Sequence, residues 1–93
     1  MTFLDFFNEI ALIANPALRS RKRAESEDQP LKDTDIDSLD LVMISVYLCE
    51  AYQIPEEVGK TMPLDSVAAI RVFVEAHAVV HPESYETALE AIL

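Results

Sequence analysis

Residues 37–52 read DSLDLVMISVYLCEAY, and this stretch carries the strongest helical pattern of the chain. Its pattern predicts one long helix that starts at about Asp37 and ends at about Tyr52. Asp37 is a good N-cap residue, and Asp40 places a negative charge in the first turn, where the helix dipole favours it. The chain is therefore predicted to be organised around this helix.

The apolar residues of this helix fall on two sides when each residue advances about 100°. One side carries Leu41, Ile44, Leu48 and Tyr52. The other side carries Leu39, Val42, Met43 and Val46. The first set is larger, and we expect it to face the core.

The second set is then left near the surface, next to Ser38. An exposed apolar stripe is costly unless something covers it, so it is either buried by another helix of the chain or used to dock a partner. In a chain of 93 residues, a helix buried on all sides is rare, which favours docking. Asp37, Asp40 and Glu50 would form an acidic rim around the stripe.

A first helix is predicted from Thr2 to about Asn15, with a capping box between Thr2 and Asp5. Its apolar residues recur at helical spacing, and Pro16 should end it. Residues 17–36 are predicted to be a loop, with Leu18 and Leu31 reaching back to the core.

Three shorter helical segments are predicted after residue 52. A turn of helix begins near Pro55 and ends at Gly59. A last main helix follows a cap at Asp65 or Ser66 and is interrupted by Pro82. Its buried side is predicted to carry Val67, Ile70, Phe73, Val74 and His77. Residues 83–93 form either an extra helix or a frayed tail.

The composition fits one helical domain over residues 1–93, with a core of roughly residues 2–80. A formal charge of −10 repels nucleic acids and suits partners with basic faces. The single cysteine excludes an internal disulfide and fits a reducing compartment. No signal-peptide pattern or apolar run of membrane length is visible, so we expect a soluble, cytoplasmic protein.

Four of the seven basic residues lie within residues 19–23, namely Arg19, Arg21, Lys22 and Arg23. We favour a solvated loop for this run. The alternatives are a contact for an acidic partner or a phosphate, and local pairing with the acids that follow the run.

Ser38 is the most informative single residue. A serine at a helix start is usually a cap or a neutral surface residue. Here it follows a long polar loop and opens the helix with the exposed stripe. A helix N-terminus offers backbone N–H groups and a positive dipole to a phosphate placed there. A phosphodiester on Ser38 would suit this position.

The order of motifs in residues 33–77 resembles the acyl carrier protein family. Residues 37–42, DSLDLV, resemble its phosphopantetheine attachment motif, in which Asp-Ser-Leu opens the second helix. Tyr52 falls near the aromatic residue that ends that helix. Residues 54–57, IPEE, resemble the run before the family's short third helix, and residues 66–70, SVAAI, resemble the start of its last helix.

The resemblance implies an all-α, four-helix bundle with three main helices and a short third one, plus the possible extra helix. It implies that Ser38 receives 4′-phosphopantetheine from coenzyme A through a phosphopantetheinyl transferase. The arm would carry acyl groups as thioesters to acyl-transferring or ketosynthase-type enzymes with basic docking faces. The residues that match partner-facing positions are Asp37, Leu39, Asp40, Val42, Met43, Val46 and Glu50. Such a protein carries and delivers, and is not an enzyme.

Three departures from the family pattern indicate a specialised carrier, for lipid, polyketide or secondary-metabolite chemistry. Asp35 stands where the family usually has glycine, while Met43 and Cys49 stand where acids are common. These departures also favour the alternative, an unmodified carrier-like interaction module. It would use Leu39, Val42 and Val46 to bind a stable partner or a second copy, although a monomer is expected first.

Metal and nucleophile sites are disfavoured. The alternation of Asp33, Asp35 and Asp37 resembles an EF-hand start, but the later glycine and glutamate positions do not match. His77 and His81 are four residues apart without an evident third ligand. Cys49 lies mid-helix with no evident base, so a partly buried structural role is expected.

Overall fold

The computed structural model of the chain describes all 93 residues, and it is helical with no strands. The helices are α1 (Phe3–Ala14), α2 (Ser38–Tyr52), α3 (Glu56–Gly59), α4 (Val67–His77) and α5 (Tyr85–Ile92). Two 3₁₀ turns, Pro16–Ser20 and Leu31–Asp33, lie in the connection between α1 and α2. The predicted small helical bundle is confirmed. None of its helices has the length and apolar character that crossing a membrane would require.

Helix α1 begins with the predicted capping box. The N–H of Asp5 donates to the Thr2 hydroxyl (3.1 Å), and the N–H of Thr2 donates to the Asp5 carboxylate (3.0 Å). The helix ends at Ala14, because the following Asn15 is extended and precedes Pro16. Its buried side consists of Phe3, Phe6, Phe7, Ile10 and Ala11.

Helix α2 packs the predicted inward side on this core. Ile44, Leu48 and Tyr52 are buried, and Leu41 is half-buried at its edge. The helix ends where Gln53 adopts a left-handed conformation (φ 52°), and the N–H of Ile54 bonds back to the Cys49 carbonyl at 2.9 Å. This reversal buries Ile54 and places α3 beside α2.

The connection between α1 and α2 is pinned to the core although little of it is helical. Leu18, Ala24, Leu31 and Ile36 are all buried. The predicted anchoring by Leu18 and Leu31 is therefore confirmed. Two 3₁₀ turns replace parts of the predicted loop, and Pro16 opens the first of them, since its fixed φ suits a helical start.

Helix α4 is shorter than predicted. Ser66 caps it by accepting the N–H of Ala69 (3.1 Å), and it ends at His77, well before Pro82. The N–H groups of Val79 and Val80 donate instead to the carbonyl of Tyr52. The placement of His77 on the buried side was wrong: its ring is exposed and lies against Phe73, with ring centroids 4.4 Å apart.

Residues 83–93 contain a packed helix. Ser84 caps α5 by accepting the N–H of Thr87 at 3.0 Å. Tyr85 stacks on Phe6 with ring centroids 4.9 Å apart, and Ala88 is buried in the same core as α1 and α2. The last helix therefore closes one side of the bundle.

Candidate functional site

The first turn of α2 is held by two carboxylates that cap each other's backbone. The N–H of Asp40 donates to Oδ1 of Asp37 (2.8 Å), and the N–H of Asp37 donates to Oδ2 of Asp40 (3.2 Å). Because Asp37 supplies the cap, Ser38 is left as the exposed first residue of the helix, with no capping role. Its hydroxyl is open to solvent.

Asp40 does not belong to an exposed rim. It is only 7% exposed, and besides the capping bond it accepts a bond from Nδ2 of Asn15 at 3.4 Å. The expectation that its charge faces a partner was wrong, because the capping geometry turns the carboxylate towards α1. The acidic residues left exposed on α2 are Asp37 at its start and Glu50 near its end.

The second apolar side of α2 faces solvent, as predicted from its periodicity. Leu39 is 70%, Val42 51%, Met43 37% and Val46 44% exposed. No other helix of the chain covers them. We call these four residues the α2 stripe. It begins directly beside Ser38 and runs towards Glu50.

An apolar groove lies between α2 and α3, alongside the stripe. Its volume is about 960 Å³, which is within the range of small-molecule sites. Val42 and Val46 of the stripe line it, together with the apolar residues Ile54, Met62 and Leu64. Sequence periodicity did not identify these last three, because only the path of the chain after Tyr52 brings them to α2.

Cys49 also lines this groove, and Gly59 lies across from it. Burial raises the pKa of the Cys49 thiol, which keeps it protonated and weakly nucleophilic at neutral pH. This agrees with a partly buried structural cysteine.

A smaller groove begins at Ser38 itself. Its walls include Asp35, Asp37, Leu41 and Leu64. Leu64 lines both grooves, so the exposed serine and the larger apolar groove lie on a continuous surface.

The arrangement of the histidines, the cysteine and the acids bears on metal binding. No group of three or more His, Cys, Asp or Glu side chains is arranged to hold a metal ion. His77 contacts Phe73 instead of a charged partner.

Comparisons with protein-family models, with curated protein sequences and with solved structures gave no significant match to this chain.

Proposed function

We propose that this chain is an acyl carrier protein that carries acyl groups as thioesters on a 4′-phosphopantetheine arm attached to Ser38. The observation that supports this most strongly is an exposed serine, not needed as a cap, at the start of a helix whose exposed side is apolar. A modification site must be reachable, and the enzymes that load and unload the arm need a surface to dock on. Ser38 and the α2 stripe meet both needs within about two and a half turns of one helix.

The start of α2 suits a phosphate. The first N–H groups of a helix have no partner within the helix, and here only the N–H of Asp40 is used by the Asp37 side chain. The N–H groups of Ser38 and Leu39 remain available. A phosphodiester on the Ser38 oxygen would lie next to them and to the positive end of the helix dipole.

The two grooves give the arm and its cargo a path. An arm that starts at Ser38 would pass Leu41 and Leu64 and reach the larger groove between α2 and α3. An acyl chain is apolar and gains free energy when it leaves water. The apolar side chains of Val46, Ile54 and Met62 would shelter it there.

Asp35 is compatible with this function although the resemblance leads us to expect glycine at that position. Its backbone is not left-handed, so no glycine is required. Its carboxylate accepts the N–H of Lys22 (2.8 Å), and its own N–H donates to the Lys22 carbonyl (2.8 Å). Asp35 thus fixes the loop that leads to Ser38.

The proposal is tested by incubating the chain with coenzyme A and a broad-specificity phosphopantetheinyl transferase, followed by intact-mass measurement. We expect wild type to gain the mass of one phosphopantetheine group and Ser38→Ala to gain nothing. Ser45→Ala is the matched control, since Ser45 lies on the same helix with its hydroxyl bonded to the Val42 carbonyl at 2.7 Å. No gain on wild type with several transferases would exclude the carrier function. A gain retained in Ser38→Ala would exclude the site.

An unmodified interaction module is the second candidate, and the exposure of Met43 within the α2 stripe favours it. A stripe with apolar residues at all four positions suits a stable partner or a second copy as well as transient docking. Sedimentation of the unmodified chain separates the two. A stable dimer that Val46→Asp dissociates would favour the module, whereas a monomer that accepts the arm supports the carrier.

A further inference from the structure

The side-chain charges of the basic residues in the segment 19–23 form no ion pair in the folded chain. We call Arg19, Arg21, Lys22 and Arg23 the basic strip. Both ion pairs of the protein involve Arg71, which contacts Glu27 at 2.6 Å and Glu75 at 3.4 Å. Three residues of the strip are exposed and Arg23 is half-buried. The acids that follow this run in the sequence therefore form no ion pairs with it.

The backbone under the basic strip is fixed at both ends. Leu18 and Ala24 are buried in the core on either side of it. The side chain of Asn8 donates to the Ala24 carbonyl (2.8 Å) and accepts the Ala24 N–H (3.2 Å). In the middle, Lys22 is joined to Asp35 by the two bonds described above. The side chains of the strip thus project from a backbone that is held in one conformation. A loop that serves only as a solvated connection does not need such contacts.

The same bonds place the basic strip beside Ser38. Asn15, which precedes the strip in the sequence, contacts Asp40. Lys22, which belongs to the strip, contacts Asp35. Ser38 is three residues from Asp35, so the two Cα atoms lie within about 11 Å of each other, the reach of three extended residues. The strip therefore runs alongside residues 35–40, close to one end of the α2 stripe.

The charges at the two ends of the α2 stripe differ. At the Ser38 end the basic strip lies beside exposed Asp35 and Asp37, whereas exposed Glu50, Glu56 and Glu57 lie at the other end. A partner that covers the stripe meets both ends at once. Opposite charges across an interface orient the encounter and exclude partners with the wrong pattern.

We propose that the basic strip is a docking surface for a partner protein that places an acidic patch next to Ser38. Without these four positive charges the rest of the chain carries −14, since the total is −10, and this charge repels extended polyanions such as nucleic acids. Arg21, Lys22 and Arg23 line a shallow groove together with Asp5, Glu9 and Glu25, and these acids disfavour a small free anion inside the groove. A protein surface can place acidic groups against the basic side chains and basic or apolar groups against the neighbouring acids, which neither a nucleic acid nor a free anion can do. The proposal adds acidic partner proteins to the proposed function. It rests on that function for the choice of the face beside Ser38 as the docking face.

The strip can be probed without knowing the partner. An eight-residue oligoglutamate peptide is titrated into ¹⁵N-labelled chain and followed by amide chemical shifts. We expect saturable shifts in residues 16–24 and 35–38. The double variant Arg19→Gln/Arg21→Gln should weaken binding about fivefold, because two exposed charge pairs, each of which contributes little on its own, are lost together. Lys60→Glu is the control: it changes the net charge equally but lies on the far side of the larger groove, and it should alter the affinity less than twofold.

Two further ligands complete the test. An oligolysine peptide should shift residues around Glu50 and Glu57, not the strip. Inorganic phosphate should shift the strip less than the acidic peptide does at equal charge concentration. The proposal is overturned if oligoglutamate leaves residues 16–24 unchanged, if Lys60→Glu weakens it as much as the double variant, or if phosphate binds the strip more tightly. The titration uses unmodified chain and is therefore independent of the loading assay. A negative titration does not argue against loading of Ser38, and a negative loading assay does not argue against the basic strip.

Discussion

A Cβ atom on Gly59 would lie 2.7 Å from Sγ of Cys49. Cβ atoms essentially never show so short a contact, so a larger residue at position 59 would force either the Cys49 side chain or α3 to shift. The two residues lie in the groove between these helices, together with Val46 and Met62. The width of the groove depends on this contact.

Gly59→Ala is expected to lower the free energy of unfolding by about 1 kcal/mol, because overpacking outweighs the gain from replacing a helical glycine. The sign should reverse in the background of Cys49→Ala, which removes Sγ. There, Gly59→Ala should stabilise by about 0.5 kcal/mol. Urea denaturation of the four proteins gives both values. A destabilisation that persists without the sulfur would show that the contact with Cys49 is not the cause.

Asp37→Ala is expected to cost about 1 kcal/mol of stability, since it removes the N-cap of α2 and half of the capping box. Ser38→Ala should cost much less, because the cap does not use its hydroxyl. Chemical denaturation of both variants checks this. Equal losses would mean that Ser38 shares in capping, and the case for a serine kept for modification would weaken.

Tyr85→Ala is expected to release α5 from the bundle. The variant loses the stack on Phe6 and the edge contact with Phe3, whose ring centroid lies 6.1 Å away. We expect the free energy of unfolding to fall by about 2 kcal/mol. This is less than for a fully buried aromatic residue, because Tyr85 is half-buried. Faster hydrogen exchange of residues 85–92 would report the release. Glu90→Ala, exposed on the same helix, should leave both measurements unchanged.

Stability should fall at high pH because of Tyr52. Burial, followed by the nearby Tyr85 and Glu75, raises the pKa of Tyr52 to about 12, from about 10 in the unfolded chain. Between these values the unfolded state has released the proton and the folded state has kept it. The contribution of Tyr52 is therefore complete below pH 10 and is lost as the pH rises towards 12.

Tyr52→Phe should flatten the fall in stability between pH 10 and pH 12, measured as the urea midpoint at each pH. Tyr47→Phe is a control for tyrosine titration in general. An unchanged slope in Tyr52→Phe would show that other groups cause the loss.

Several features of the fold were predictable because they depend on neighbours within four residues. The pairs Thr2 with Asp5 and Asp37 with Asp40 begin helices through bonds that span three residues. The two apolar sides of α2 follow from helical periodicity alone. The end of α4 at His77 was not predictable in this way. The N–H groups of residues 79 and 80 donate to the carbonyl of Tyr52, which is distant in sequence, instead of continuing the helix.

The helical class of the chain, the starts of α1 and α2, and the outward-facing side of α2 beside Ser38 follow from local sequence. The burial of Asp40 against Asn15, the bonds between Lys22 and Asp35, and the groove that α3 forms with α2 at Gly59 depend on the tertiary structure. The reason is the range of the interactions. Capping and periodicity act over one turn, whereas these contacts join segments whose approach depends on the path of the loops between them.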